Sequence, residues 1–130
     1  MSEWSFLDYL ELNGSSPVHE WINDKKRVPI KAKAKIQRIL LQLAGTRLWT
    51  RPLASNLDDY PGIVEIRILW MNTQYRLLGF RGPSGREFTL LFPATEKDDQ
   101  FVPPNAPVIA ANRMQVVMAD KRRTRDHRFG

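Results

Sequence analysis

The sequence predicts an α+β domain in which helices flank a mainly antiparallel β-sheet. Two observations carry the prediction. Three apolar segments, about 63–70, 74–81 and 86–92, follow one another across short turns, the second of which is "GPSG". Helix-patterned segments precede and follow them, the clearest being "VPIKAKAKIQRILLQLAG".

Taken in order, "WSFLDYLE" (4–11) reads as a first strand, aromatic and apolar enough to pack, and it ends at the turn signal "NGSS". Ser16 before Pro17 then opens a short helix, "VHEWIND", with Glu20 in its first turn and Val18, Trp21 and Ile22 at helical spacing. In the long helix Ile36, Ile39, Leu40 and Leu43 fall at i, i+3, i+4 and i+7, Lys31, Lys33, Lys35 and Arg38 lie largely off that stripe, and Gly45 is the stop. Residues 46–61 show no period and read as a loop with one short turn or extended piece. After the three strands, "FPATEKDDQFVPPNAP" reads as irregular because of its prolines. "VIAANRMQVVMAD" is the final helix, with Ile109, Met114, Val117 and Met118 available for packing. A single domain over 1–120 followed by a basic tail over 121–130 is the expected organisation, since 130 residues support one core and not two.

Composition removes several kinds of chemistry. There is no cysteine, which excludes disulfides, thiolate catalysis and Cys-containing zinc sites. With only His19 and His127, a histidine metal centre is not expected, and the pairs Asp58-Asp59 and Asp98-Asp99 sit in turn contexts that suit solvated acids. No metal and no cofactor is therefore expected. No apolar run approaches the roughly 18 residues of a membrane span, and "MSEWSFLDYLE" is acidic where a secretion signal is basic; the expected location is the cytoplasm. The formal charge is +6, and the last ten residues, "KRRTRDHRFG", contribute +4 of it. Such a tail is expected to be flexible at its extreme end, with nucleic-acid contact as a use.

Strand alternation sorts the sheet into two faces. Val64, Ile66, Ile68 and Trp70 form a core face, with Glu65, Arg67 and Leu69 on the other. A turn around Asn72 sets Arg67 opposite Arg76 and puts Tyr75 and Leu77 on the core face. The third strand continues with Phe88, Leu90 and Phe92 inward and Glu87, Thr89 and Leu91 on the arginines' side. Like charges directly opposite repel. Two arrangements fit: an ion-pair ladder of Glu65, Arg67, Arg76 and Glu87 on a solvated face, or an anion site in which two guanidiniums on rigid strands bind a phosphate.

The segments in this order resemble the RelE/ParE toxin superfamily, and within it the HigB-like, phage-derived family. "SSPVHEWIND" is similar to that family's first helix and "KAKAKIQRILLQLAG" to its second. "RPLASNLDDYPGIVEIRI" is similar to its entry into the sheet, "QYRLLGF" and "TLLF" to its next two strands, and "AANR" to its closing helix. The likeness covers about 4–115. It implies a small twisted sheet with the N-terminal helices packed on one face, a C-terminal helix, and an opposite face that cleaves mRNA on the ribosome without a metal. It also implies a cognate antitoxin, a helix-turn-helix protein encoded alongside, as partner.

Carried over by position, Arg67 and Arg76 are implied phosphate and transition-state ligands, Glu65 an arginine-orienting group or a base, and Lys97 a proton-transfer group. Arg51, Arg81, Lys31, Lys35 and Arg113 are the cations expected to contact RNA. The family's paired lysines after the last strand are replaced here by Lys97 alone among Glu96, Asp98 and Asp99, which leaves the general base open between Glu65, Lys97 and His127. The paired arginines favour the nuclease; the altered lysine region favours an alternative, a non-catalytic module of the same fold that binds nucleic acid or protein.

Overall fold

The computed structural model describes residues 2–130. Strand β1 (Ser5–Tyr9) leads into helices α1 (Pro17–Ile22) and α2 (Ile30–Ala44), and a short strand β2 (Ala54–Asn56) follows. Strands β3 (Val64–Trp70), β4 (Thr73–Arg81) and β5 (Glu87–Lys97) form a meander; β6 (Gln100–Val102), α3 (Ala106–Ala119), a 3₁₀ turn (Lys121–Arg123) and β7 (Thr124–Asp126) complete the order. The sheet runs β2-β3-β4-β5-β1-β7, with β6 also on β5. The β1–β5 pairing is parallel and the other pairings are antiparallel. Among the described residues no helix is long and apolar enough to cross a membrane.

The hairpin register is the one that parity requires: Arg67 pairs with Arg76, Ile66 with Leu77 and Ile68 with Tyr75. A slip of one residue would turn the whole apolar set to the wrong side. Val64, Ile66, Ile68, Tyr75, Leu77, Phe88 and Leu90 bury against Val18 and Ile22 of α1 and Ile36, Leu40 and Leu43 of α2.

The opposite face departs from the expected mixed-polar surface. Leu78, Phe80, Leu91 and Ala94 form a second core with Ala106, Ala110, Met114 and Val117 of α3. Alternation places Leu78, Phe80 and Leu91 on this side, and α3 covers them; a bulge between Leu78 and Gly79, where Leu78 pairs with Phe92 but Gly79 with Leu90, adds a further residue. The unpaired Leu91 shifts the alternation, so Phe92 leaves the first core and packs on the second. Gly79 is required at this step: a Cβ there would lie 2.4 Å from both Phe88 Cε1 and the Thr89 carbonyl oxygen. Gly79→Ala is expected to cost about 1–3 kcal/mol by overpacking, measured by urea denaturation.

Two further expectations are also corrected. β5 continues past Phe92 to Lys97 and returns through β6, where the prolines suggested irregular chain. Pro93 is tolerated because it falls between the stretch paired to β1, ending at Leu90, and the stretch paired to β6, starting at Thr95. The basic segment 121–130 is packed rather than loose. Thr124–Asp126 pairs with β1, the His127 amide donates to the Phe6 carbonyl at 3.0 Å, and the Phe129 ring meets Phe6 edge-on.

His19 on α1 feels this segment. Its burial, and then the Arg125 guanidinium, lower its pKa below the ordinary 6.5. The folded state therefore prefers neutral His19, and the stability linked to it is complete above pH 6.5 and declines as pH falls below that value. An NMR titration of the His19 ring is expected to give a midpoint below 6.5.

Candidate functional site

β2 pairs only with Val64–Ile66 of β3. Beyond it, the last residues of β3 border a cleft of about 510 Å³ whose other wall is α2, lined by Lys35, Ile39, Pro52, Leu53, Arg67, Leu69, Gln74 and Arg76. The two arginines singled out in the sequence thus share one cavity, and Lys35 joins them. The Lys35 ammonium donates to the Leu69 carbonyl oxygen, which ties the α2 wall to the β3 edge.

The arginines are not equivalent. Arg76 is almost fully buried: its Nε donates to Glu96 Oε1 at 3.3 Å, Nη1 to the Tyr75 carbonyl at 3.0 Å and Nη2 to Gln74 Oε1 at 2.6 Å. Arg67 retains 37% side-chain exposure. Its Nε donates to Glu65 Oε1 at 2.5 Å, and among the described residues neither of its Nη groups has a partner. Arg67 therefore keeps four N–H bonds in a planar fork for an oxyanion, while Arg76 is a fixed cation behind it.

The acids divide the roles further. Glu65 is 3% exposed, so in this arrangement it orients Arg67. Glu87 takes no part in the expected ladder; its Oε1 accepts from the Ser84 amide at 3.0 Å in the β4–β5 turn. Glu96 occupies that place instead. Each arginine carries its own carboxylate, which removes the repulsion across the hairpin and leaves Lys35 as the uncompensated charge of the cavity.

The remaining sequence candidates lie elsewhere. Lys97 follows Glu96 on β5, so alternation turns it to the face opposite Arg76, and it is exposed at the hairpin end. Arg51 is exposed beside Pro52, next to the cleft. Lys31 is exposed on α2 one turn before Lys35. Arg81 sits five residues from Arg76 on β4, about 17 Å along the strand, with its guanidinium over the Trp4 and Trp49 rings at 5.9 and 5.6 Å.

Arg113 is occupied in a structural role that its expected RNA contact did not anticipate. It donates to the Leu91 carbonyl at 2.8 Å and to Glu11 at 3.1 Å, and it stacks on Tyr9 and Phe92. Burial lowers its pKa, with Glu11 opposing. His127 is enclosed, with Nδ1 2.7 Å from Asp8 Oδ1 and Nε2 2.8 Å from Gln37 Oε1, so a base at the cleft is not available from it. Among the described residues no group of three or more His, Cys, Asp or Glu side chains is placed to hold a metal ion.

Sequence reasoning missed Gln74 and the apolar cleft walls Leu53 and Leu69. Gln74 is visible in retrospect only through the register, which sets it two residues before Arg76 on the same face. Comparison of the chain with protein-family models, curated proteins and solved structures finds no match.

Proposed function

We propose that this chain is a ribosome-dependent mRNA endoribonuclease of the toxin type, working by attack of an RNA 2′-hydroxyl on the adjacent phosphate. The observation that carries the reading is Arg67, held by the buried Glu65 with both Nη groups free at the mouth of a cleft. In that reaction the 2′-oxygen bonds to phosphorus as the bond to the 5′-oxygen breaks, leaving a cyclic phosphate and a 5′-hydroxyl. The nucleophile is already part of the substrate, so alignment and stabilisation of the phosphorane charge are what the protein supplies. Arg67 meets the non-bridging oxygens, Arg76 adds fixed positive charge, and the Lys35 ammonium is the proton donor for the departing 5′-oxygen. Removal of the 2′-proton falls to a group on the ribosome. A neighbouring helix-turn-helix antitoxin is the partner that this reading requires.

The test is inducible expression with mapping of mRNA 5′ ends. The reading requires growth arrest with cuts in translated codons. A folded chain that produces no cuts favours instead a non-catalytic nucleic-acid-binding module. One observation supports that second reading: Glu65 is covered and Lys97 points away, so among the described residues no carboxylate or second lysine lines the cleft.

A further inference from the structure

Residues 24–38 hold seven basic side chains and one acid, so this stretch alone carries +6, the formal charge of the entire chain. The rest of the molecule is balanced. Three of the seven, Lys31, Lys35 and Arg38, fall at i, i+4 and i+7 on α2. That spacing stacks them in one stripe about 10 Å long. Among the described residues none of the three forms an ion pair with a carboxylate. Like charges at i and i+4 destabilise a helix, so the stripe works against folding, and among the described residues no carboxylate offsets it.

Of the three, Lys35 lines the cleft already described, and Lys31 and Arg38 lie one turn to either side of it on α2. Across from it stands Arg67 with its open fork. The surface between the charges is apolar: Ile39, Leu53 and Leu69 line it, and Leu69 is 55% exposed on a strand edge. A polyanion with its bases stacked inside a duplex has nothing to offer such a surface. A single strand does, because its unpaired bases lie against apolar side chains while its phosphates meet cations. The cleft volume, about 510 Å³, lies within the range of sites that enclose small ligands.

We infer that the cleft between α2 and the free edge of β3 is a single-stranded RNA track, with Lys31, Lys35 and Arg38 on one bank, Arg67 on the other, and Leu53 and Leu69 receiving an unstacked base. The inference names the substrate form for the site proposed above and rests on that reading for RNA as the polyanion. It adds that the chain holds the strand by itself, without the ribosome.

The test uses the full chain and a fluorescently labelled ten-nucleotide 2′-O-methyl oligoribonucleotide, which lacks the nucleophile, so binding is read without cleavage. Anisotropy is followed against salt for the single strand and for the same sequence as a duplex. Single-strand binding at least about tenfold tighter than duplex binding is expected. The triple variant Lys31→Gln, Lys35→Gln, Arg38→Gln is expected to weaken it 10- to 100-fold and to flatten the salt slope by about 2, since each phosphate left without its cation removes roughly 0.7 from the slope. Lys25→Gln with Lys26→Gln removes charge off the stripe and is expected to leave affinity within about twofold, the comparison that separates the track from general basicity. Leu69→Ala is expected to weaken binding with the salt slope unchanged. Equal or tighter binding of the duplex overturns the inference in favour of a duplex-backbone surface, and so does full binding by the triple variant or no binding by the wild type. Single-strand binding without mRNA cleavage in cells leaves the track standing and removes the nuclease. Cleavage by a triple variant that matches wild type removes the track and the proton-donor role of Lys35, and leaves a nuclease that rests on Arg67 and Arg76.

Discussion

Arg67→Lys is expected to lower mRNA cleavage about 100- to 1,000-fold with the thermal midpoint close to that of the wild type. The substitution keeps a positive charge against Glu65, which is nearly inaccessible to solvent, but it replaces a planar fork by a single ammonium. What is lost is the bidentate donation to a phosphorane oxygen, and removing one preorganised donor from such a site costs a rate factor of about that size. Arg67→Ala is the less informative variant because it also strips the buried Glu65 of its partner. An orphaned buried carboxylate costs on the order of 1–3 kcal/mol or more, and lost activity then mixes chemistry with folding. Pairing Arg67→Ala with Glu65→Gln removes that confusion. Primer-extension mapping of a reporter mRNA in a reconstituted translation reaction gives the rate, and a melting curve on the same preparation gives the stability. Cleavage at the wild-type rate by folded Arg67→Lys refutes the assignment of Arg67.

How much of this site was legible in the sequence is a matter of which forces act locally. The pairing of Arg67 with Arg76 was readable because alternation over β3 and β4 leaves one register that buries Ile66, Ile68, Tyr75 and Leu77 together. Burial of Arg76 was not. It depends on Glu96, which reaches the arginine only because β5 runs on past Pro93, and a proline in an apolar strand reads as its end. The second core was hidden for a related reason. "TLLF" has two leucines in succession, so alternation alone assigns one of them outward, and it takes the bulge opposite Leu78 and Gly79 to bring Leu91 and Phe92 to the same side. Arg113 illustrates the converse error. A cation on a helix was read as a surface contact, whereas its guanidinium lies over Tyr9 and Phe92 and donates to the Leu91 carbonyl. The Lys35 contact with β3 joins residues 34 positions apart, a distance over which no pattern in the chain is informative.

The tail posed the same difficulty, and the largest stability effect is expected there. In "KRRTRDHRFG" five basic residues conceal one strand and two inward-facing rings. Arg125 and His127 share the face of Asp8, so the histidine is carried by β7 into the first core beside Gln37. His127 and Asp8 are both fully buried at the side chain. Asp8 Oδ2 has no hydrogen-bond partner, so the contact of Oδ1 with His127 is what the side chain retains. His127→Ala is expected to cost about 3–5 kcal/mol, because it opens a ring-sized void in the core and leaves the buried Asp8 carboxyl without its hydrogen-bond partner. Urea denaturation followed by tryptophan fluorescence measures the loss. The mechanism makes a second demand: Asp8→Leu combined with His127→Leu removes both polar groups and is expected to be less destabilising than His127→Ala alone. A double variant that loses as much as the two single substitutions added together would show that packing of the tail, and not the buried carboxylate, sets the cost.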